Sequence, residues 1–124
     1  MKYLLDTNIC IDIMRNPRCS AFNRIKKLSV GDIGISSITL AELEYGVNKS
    51  SNPAKNAALL IEACSVFEIC PFDSDASAAY GLIRSRLESK GRPIGPLDTL
   101  IAAHASALNV TLVTNTMKEF KRIK

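Results

Sequence analysis

Short stretches typical of β-strands alternate with stretches typical of helices along most of this 124-residue chain. The predicted strands are residues 3–6, 33–36, 68–72 and 110–114, the last of them rich in β-branched side chains. Predicted helices lie between them, among them residues 9–14, 21–28, 38–47 and 97–108. Strands that are separated by helices pair in parallel, and the helices cover the sheet. The alternation therefore predicts an α/β fold with a central parallel sheet flanked by helices on both faces.

Capping residues mark the ends of two further helices. Asn52 followed by Pro53 is a favourable start, because Asn caps a helix and Pro lacks the amide hydrogen that would be unbonded there. That helix is predicted to run to about residue 66. Ser74 is predicted to cap the next helix, and Gly91 is predicted to end it in a left-handed turn.

The composition is that of a globular protein of the cytoplasm. Hydrophobic residues make up 47% and charged residues 23% of the chain, which excludes a disordered protein. The length predicts one domain over residues 1–124. No apolar run approaches the ~20 residues that span a bilayer, and the apolar start before Asp6 is too short for a signal peptide. Four cysteines without a CxxC spacing favour free thiols in a reducing compartment.

Four acidic residues are predicted to meet at one edge of the sheet. Asp6 closes the first predicted strand, and Glu42 lies early in the helix after the second strand. Asp98 lies in the first turn of the last predicted helix, and Glu119 follows the last strand. Ligands of open parallel sheets bind outside the carboxyl ends of the strands. Clustered carboxylates repel each other unless a cation, bound protons or basic groups compensate them, and oxygen donors favour Mg²⁺ or Mn²⁺.

Each acid also has a purely structural interpretation. Asp6 can cap the short helix that follows it, and Glu42 completes a capping box with Thr39 in the segment TLAE. Asp98 can complement a helix dipole, and Glu119 can be a solvated surface charge. Position alone leaves both interpretations open for all four residues.

Four motifs resemble those of PIN-domain ribonucleases, in order and with family-like spacing from residue 1 almost to residue 124. They read YLLDTNIC, ISSITLAELEYG, GRPIGPLDTLIAAHA and LVTNTMKEFKRI. More narrowly, they resemble the VapC toxins of bacterial VapBC toxin–antitoxin pairs. VapC toxins of this branch often read TNN where this chain has Asn115 and Thr116, and Thr116 retains a polar group there.

The resemblance implies a PIN-domain fold and a metal-dependent endoribonuclease. The catalytic acids that it implies are Asp6, Glu42, Asp98 and Glu119. The first three would contact Mg²⁺ (or Mn²⁺) directly or through water, and Glu119 would be the more distal acid. Polar side chains that orient water or carboxylates would be Thr7, Thr114 and Asn115. The implied substrate is a structured RNA, with initiator tRNA as the specific expectation.

The residue types agree with metal-dependent cleavage. A divalent ion lowers the pKa of water and neutralises developing charge on a phosphate. Acid–base cleavage by paired histidines is excluded because His104 is the one histidine in the chain. His104 lies on the apolar stripe of its predicted helix, which favours a buried or interface side chain over a catalytic one.

Net charge favours an anionic partner. The chain carries +4, and setting the four site acids aside leaves sixteen basic against eight acidic side chains. A basic rim around an acidic site would attract the RNA backbone. The candidates for this rim are Lys49, Arg84, Arg86, Lys90, Arg92 and Lys118. Each of them can also be an ordinary solvated charge.

The resemblance also implies partners. A VapB-type antitoxin would cover the site with basic side chains, and operator DNA would be bound only through that antitoxin. We expect a toxin homodimer, no membrane association, and an apolar groove for the antitoxin between the predicted helices 21–28 and 38–47. The alternative is a PIN-like nucleic-acid-binding or regulatory subunit without nuclease activity, which would be expected to lack some of the four acids.

Overall fold

The computed structural model describes residues 1–15, 31–91 and 94–114 of the chain. Its strands are β1 (Tyr3–Leu5), β2 (Ile33–Ser36), β3 (Glu68–Cys70) and β4 (Thr111–Val113). Its helices are α1 (Thr7–Arg15), α2 (Ser37–Lys49), α3 (Pro53–Cys64), α4 (Ser74–Ser89) and α5 (Pro96–Leu108). The predicted helix 21–28 lies outside the described residues. The other predicted elements are present, with boundaries that differ by a few residues.

The strands form one parallel sheet in the order β3-β2-β1-β4. Strand β1 is therefore central, and the chain moves outward from it through β2 to β3 before it returns to add β4 on the other side. Gly34 in β2 is needed for close packing at the β3 side, because an added Cβ would lie 2.9 Å from the Glu68 carbonyl oxygen.

Helices cover both faces of the sheet, as predicted. On one face, Leu5 and the side chains of β2 pack with α1, α2 and α3 in an apolar cluster that includes Ile13 and Leu43. On the other face, Leu4 packs with Ile101 and Ala105 of α5. Neighbouring residues of a strand point to opposite faces, so Leu4 and Leu5 serve the two layers. Full burial of such a side chain stabilises the fold by about 1.5–3 kcal/mol.

One of the predicted helix ends is corrected by the structure. The α4 cap is Asp73, whose side chain accepts a hydrogen bond from the amide of Ala76, and Ser74 is the first helical residue. The predicted cap of α3 by Asn52 and the left-handed turn at Gly91 are confirmed. In the part of the chain that the structure describes, no helix is both long enough and apolar enough to cross a bilayer.

Candidate active site

Asp6 lies between Leu5, where β1 ends, and Thr7, where α1 begins. Its amide donates a hydrogen bond to the Val113 carbonyl of β4 at 3.0 Å. Its Oδ1 accepts a hydrogen bond from the Ile9 amide at 2.9 Å, so Asp6 caps α1 as its structural interpretation predicted. The residue is nevertheless only 2% exposed. A carboxylate that is buried this far must have further compensation.

Part of that compensation comes from the neighbouring strand. Thr114 follows β4, and its hydroxyl donates a hydrogen bond to Asp6 Oδ2. β1 and β4 lie on either side of the point where the order of the strands reverses, which is the usual ligand position in sheets of this kind. Asp6 and Thr114 therefore lie together at the crevice that the topology creates.

Glu42 joins the same edge of the sheet through Thr7. The Thr7 hydroxyl donates to Glu42 Oε1 at 2.7 Å, although the two residues are 35 positions apart. The capping box of Glu42 with Thr39 is not formed, because Ser36 caps α2 and its Oγ accepts from the Ile38 amide at 3.1 Å. Thr39 is buried, and its hydroxyl has no hydrogen-bond partner among the described residues. Glu42 therefore faces Thr7 at the candidate site instead of its own helix end.

Asp98 lies in the first turn of α5 and is half-buried. The helix runs antiparallel to the strands, since it ends just before Thr111, which pairs with the first residue of β1. Its first turn therefore lies at the carboxyl edge, where Asp6 and Glu42 are found. This position also lets Asp98 complement the dipole of α5.

The donor chemistry of the site fits a hard divalent cation. The acids and hydroxyls at this edge offer oxygen atoms, which Mg²⁺ and Mn²⁺ prefer. Within residues 1–15, 31–91 and 94–114, however, no three acidic, histidine or cysteine side chains are grouped so that they could hold an ion. The predicted Asn115 and Glu119 lie outside the described residues. Metal ligation by Asp6, Glu42 and Asp98 stays a prediction.

Three candidates for the basic rim are exposed on helices. Lys49 ends α2, with its Nζ 5.8 Å from the centre of the Tyr45 ring. Arg84 donates to Glu88 at 2.9 Å and to the Tyr80 hydroxyl at 2.9 Å. Arg86 lies in the last turn of α4.

Arg84 is the rim candidate that the structure connects to α5. It lines a cavity of about 270 Å³ together with Pro96 and Thr99, which flank Asp98 in sequence. Lys90 is exposed at the end of α4. Arg92 and Lys118 lie outside the described residues.

Cys10 is a buried free thiol, as the cysteine pattern predicts, but its position one helical turn after Asp6 was not predicted from the sequence. Burial, and to a lesser degree the charges of Asp6 and Cys64, raise the pKa of the Cys10 thiol. The thiol is therefore protonated at neutral pH and does not add charge beside Asp6. The spacing of four residues on a helix was the available signal, since it places Cys10 over the first turn of α1.

A groove of about 390 Å³ borders the site between α1, α2 and α3. Its lining is mainly apolar, with Glu42 as the acidic member and Arg15 and Lys55 as basic members. The apolar lining residues include Ile11, Met14, Leu43, Val47 and Leu59. The predicted groove between helices 21–28 and 38–47 involves residues that the structure does not describe, whereas this groove uses α1 and α3 beside α2.

Comparisons with known proteins give a consistent result. Residues 3–124 match the family model of the PIN domain. Ribonuclease VapC2 of Rickettsia felis is 48% identical over 124 residues, which cover 99% of this chain and 92% of the relative. The tRNA(fMet)-specific endonuclease VapC of Shigella flexneri is 41% identical over 123 residues, with the same shares of 99% and 92%. The crystal structure of Rickettsia felis VapBC2 bound to a DNA fragment from their promoter superposes with a TM-score of 0.92 and 46% identity, over 98% of this chain and 92% of that one.

Proposed function

We propose, from the premise that this chain belongs to the PIN-domain family and within it to the VapC ribonucleases, that it is a Mg²⁺-dependent endoribonuclease toxin. One observation carries the proposal. Buried Asp6 is held by the Thr114 hydroxyl at the crevice between β1 and β4, and Glu42 is held beside it by Thr7. A carboxylate that only caps a helix uses one oxygen and needs no hydrogen bond to the other. In Asp6 that other oxygen is bound by Thr114, which follows β4.

The proposed chemistry assigns separate roles to the acids and to the hydroxyls. Asp6, Glu42 and Asp98 would hold the ion, which would lower the pKa of a water molecule and neutralise charge on the scissile phosphate. Thr114 orients the Asp6 carboxylate, and Thr7 orients that of Glu42. Each hydroxyl donates to one oxygen of its carboxylate and so restricts the orientation of that carboxyl group.

The proposed substrate is RNA, and the specific target that we propose is initiator tRNA. The sequence likeness to a relative named for specificity toward tRNA(fMet) supports this choice. The exposed side chains of Lys49, Arg84 and Arg86 would contact the RNA backbone, so affinity should fall as salt is raised. Arg92 is a further proposed rim residue that would contact the RNA backbone. Glu119 is the proposed distal acid of the site.

The proposed partner is a VapB-type antitoxin, and the location is the cytoplasm. The solved structure of a similar VapC is a complex with VapB on promoter DNA, which supports a partner that also binds the operator. The groove beside Glu42 offers an apolar lining of three helices to an antitoxin segment. A guanidinium or ammonium group of that segment would pair with the site acids in place of a metal ion. The proposed assembly contains a toxin homodimer.

Cleavage of initiator tRNA by the purified toxin tests the proposed function. We expect cleavage with Mg²⁺, none in excess EDTA, and recovery when Mg²⁺ is added back. Asp6→Asn and Asp98→Asn should abolish cleavage, whereas the matched variant Asp73→Asn, at an exposed cap of α4, should retain it. Full turnover in EDTA would refute the metal-dependent mechanism, and equal cleavage of elongator tRNA would refute the proposed specificity.

Inhibition by antitoxin peptides tests the partner. A peptide that carries the native basic residues should inhibit cleavage, and the same peptide with those residues replaced by alanine should inhibit far less at matched occupancy. Equal inhibition by both peptides would show that the antitoxin acts by steric cover and not by charge at the site.

A further inference from the structure

His104 connects α5 to the start of α2 from inside the fold. It is 1% exposed, and its Nδ1 lies 2.7 Å from Ser36 Oγ. The Phe72 ring and the imidazole pack edge to face, with the ring centres 5.3 Å apart. None of these contacts is used by the proposed chemistry, yet they lie between the two helices that carry Glu42 and Asp98.

The hydrogen bonds around Ser36 favour one tautomer of His104. Ser36 is fully buried, and its Oγ already accepts a hydrogen bond from the Ile38 amide. The Ser36 hydroxyl proton therefore needs a buried acceptor, because an unsatisfied donor costs about 1–3 kcal/mol. Nδ1 of His104, 2.7 Å away, is the acceptor in the arrangement that we infer, in which the neutral imidazole carries its proton on Nε2. Burial lowers the pKa of His104, against the opposing effects of Asp73 and the Pro71 carbonyl, and so favours the neutral form.

We propose that His104 is a positioning residue that acts through Ser36 to hold α2 against α5. This inference rests on the proposed function, because its purpose is the mutual placement of Glu42 and Asp98. Glu42 lies six residues after Ser36, and Asp98 lies six residues before His104. A helix is a rigid rod over that distance, so a shift at the Ser36–His104 contact changes the separation of the two acids.

A second contact makes the junction stiff. The Ser37 hydroxyl accepts a hydrogen bond from the Phe72 amide at 3.0 Å. The start of α2 is thus tied to the segment after β3 by Ser37 and to α5 by Ser36. Loss of the His104 contact alone leaves α2 attached, and the expected consequence is a displaced Glu42 in a folded protein.

Three variants of His104 separate the positioning role from a packing role. Asn places an acceptor near the Nδ1 position. Gln places a methylene group near that position, and Phe keeps an aromatic ring against Phe72 without any acceptor. We expect His104→Asn to retain kcat within about twofold. His104→Gln and His104→Phe should lose about tenfold to a hundredfold in kcat with KM unchanged, since a shift of ~1 Å at a site can cost that much. A packing role would instead make kcat follow the melting temperature in all three variants.

A double-mutant cycle tests whether Ser36 carries the effect. Ser36→Ala also removes the cap of α2, so it should lose at least as much kcat as His104→Phe, and the combined variant should lose no more than Ser36→Ala alone. Additive losses would overturn the inference. Wild-type protein that cleaves no RNA would refute the proposed function, and the decision on His104 would then rest on the two structural measurements that follow.

These measurements do not depend on activity. Because the chain has a single histidine, its imidazole nitrogen signals are assigned without ambiguity. We expect a ¹⁵N spectrum with the proton on Nε2 and an unprotonated Nδ1, and faster hydrogen exchange of the Ile38 amide in His104→Phe than in His104→Asn. The proton on Nδ1, or a crystal structure of His104→Phe that retains the 2.7 Å contact between Thr7 and Glu42 and the wild-type separation of Glu42 and Asp98, would overturn the inference.

Discussion

The junction after β1 and the junction after β3 use the same local hydrogen bond but differ in the burial of the aspartate that accepts it. Asp6 Oδ1 accepts from the amide three residues later at 2.9 Å, and Asp73 Oδ1 does the same at 3.0 Å. Asp6 is 2% exposed, and its second oxygen is bound by Thr114, whereas Asp73 is exposed. A helix cap therefore does not distinguish a candidate catalytic acid from a structural one. The partner of the second oxygen does.

The sheet explains the difference. β1 has β2 on one side and β4 on the other, so a side chain at its end meets groups from neighbouring strands. β3 is an edge strand with β2 as its only neighbour in the described sheet. Asp73 consequently faces solvent, where its charge is screened and needs no further partner.

The largest expected effect is the loss of activity when Asp6 is replaced by serine. Serine still caps a helix but carries no charge, so Asp6→Ser should remove the site function and keep α1. We expect cleavage of RNA to fall by more than about a hundredfold, since outer partners of a metal ligand alone can account for that much. The measurement is the initial rate per folded molecule.

The matched control is Asp73→Ser, in which the same substitution is made at the other junction. It should retain wild-type cleavage. If both variants lost activity equally, the proposed distinction between the two aspartates would be wrong.

A smaller effect is expected from the hydroxyl that holds Asp6. Thr114→Val keeps the shape of the side chain and removes the donor to Asp6 Oδ2, and we expect cleavage to fall about tenfold. The corresponding hydroxyl at the other junction is that of Ser77, which donates to the Asp73 carbonyl at 3.0 Å. Ser77→Ala should leave the rate unchanged. An unchanged rate in Thr114→Val would show that the cross-strand contact does not orient the carboxylate.

The fold was predictable from the sequence because local and global signals agree. The apolar strand stretches and the capping residues Asn52 and Gly91 marked elements that the structure contains. The prediction of Ser74 as a cap was wrong by one residue, because Asp73 and Ser74 both suit a cap and only the backbone decides which is extended. The strand order could not be derived from the pattern, since it depends on packing between distant segments.

The candidate site was predictable as a set of positions and not as a set of contacts. Asp6 at a strand end and Glu42 early in α2 followed from the pattern, but the bond from Thr7 to Glu42 joins residues 35 positions apart. The capping-box interpretation of Thr39 and Glu42 was wrong, because the helix begins earlier and Ser36 is its cap. Such choices between two sound local interpretations are decided by tertiary contacts.

The third prediction compares the two junctions by stability. Asp73→Ala removes the cap of α4 without a compensating group, and we expect a loss of about 1 kcal/mol in the free energy of unfolding. Asp6→Asn keeps an acceptor for the Ile9 amide and removes a charge that is 2% exposed, so the melting temperature should hold or rise. Denaturant titration of both variants at pH 7 gives the comparison. A larger loss for Asp6→Asn than for Asp73→Ala would mean that the charge of Asp6 stabilises the fold.

The smallest expected effect is a pH dependence of the free energy of unfolding that is caused by His104. Burial holds the pKa of His104 below its ordinary value of 6.5, against the opposing charge of Asp73. As the pH falls below 6.5, the unfolded chain binds a proton that folded His104 does not, so the free energy of unfolding falls until the pH passes below the folded pKa. Between pH 7.5 and 5.5, where ordinary carboxylates stay ionised, this decrease should be seen in the wild type and be absent in His104→Phe.

Asp73→Asn should steepen the decrease, because removal of the Asp73 charge lowers the pKa of His104 further. Wild-type stability that stays level or rises over this range would contradict the assignment of a buried neutral histidine, and an unaltered slope in Asp73→Asn would show that the exposed carboxylate is too well screened to act on it.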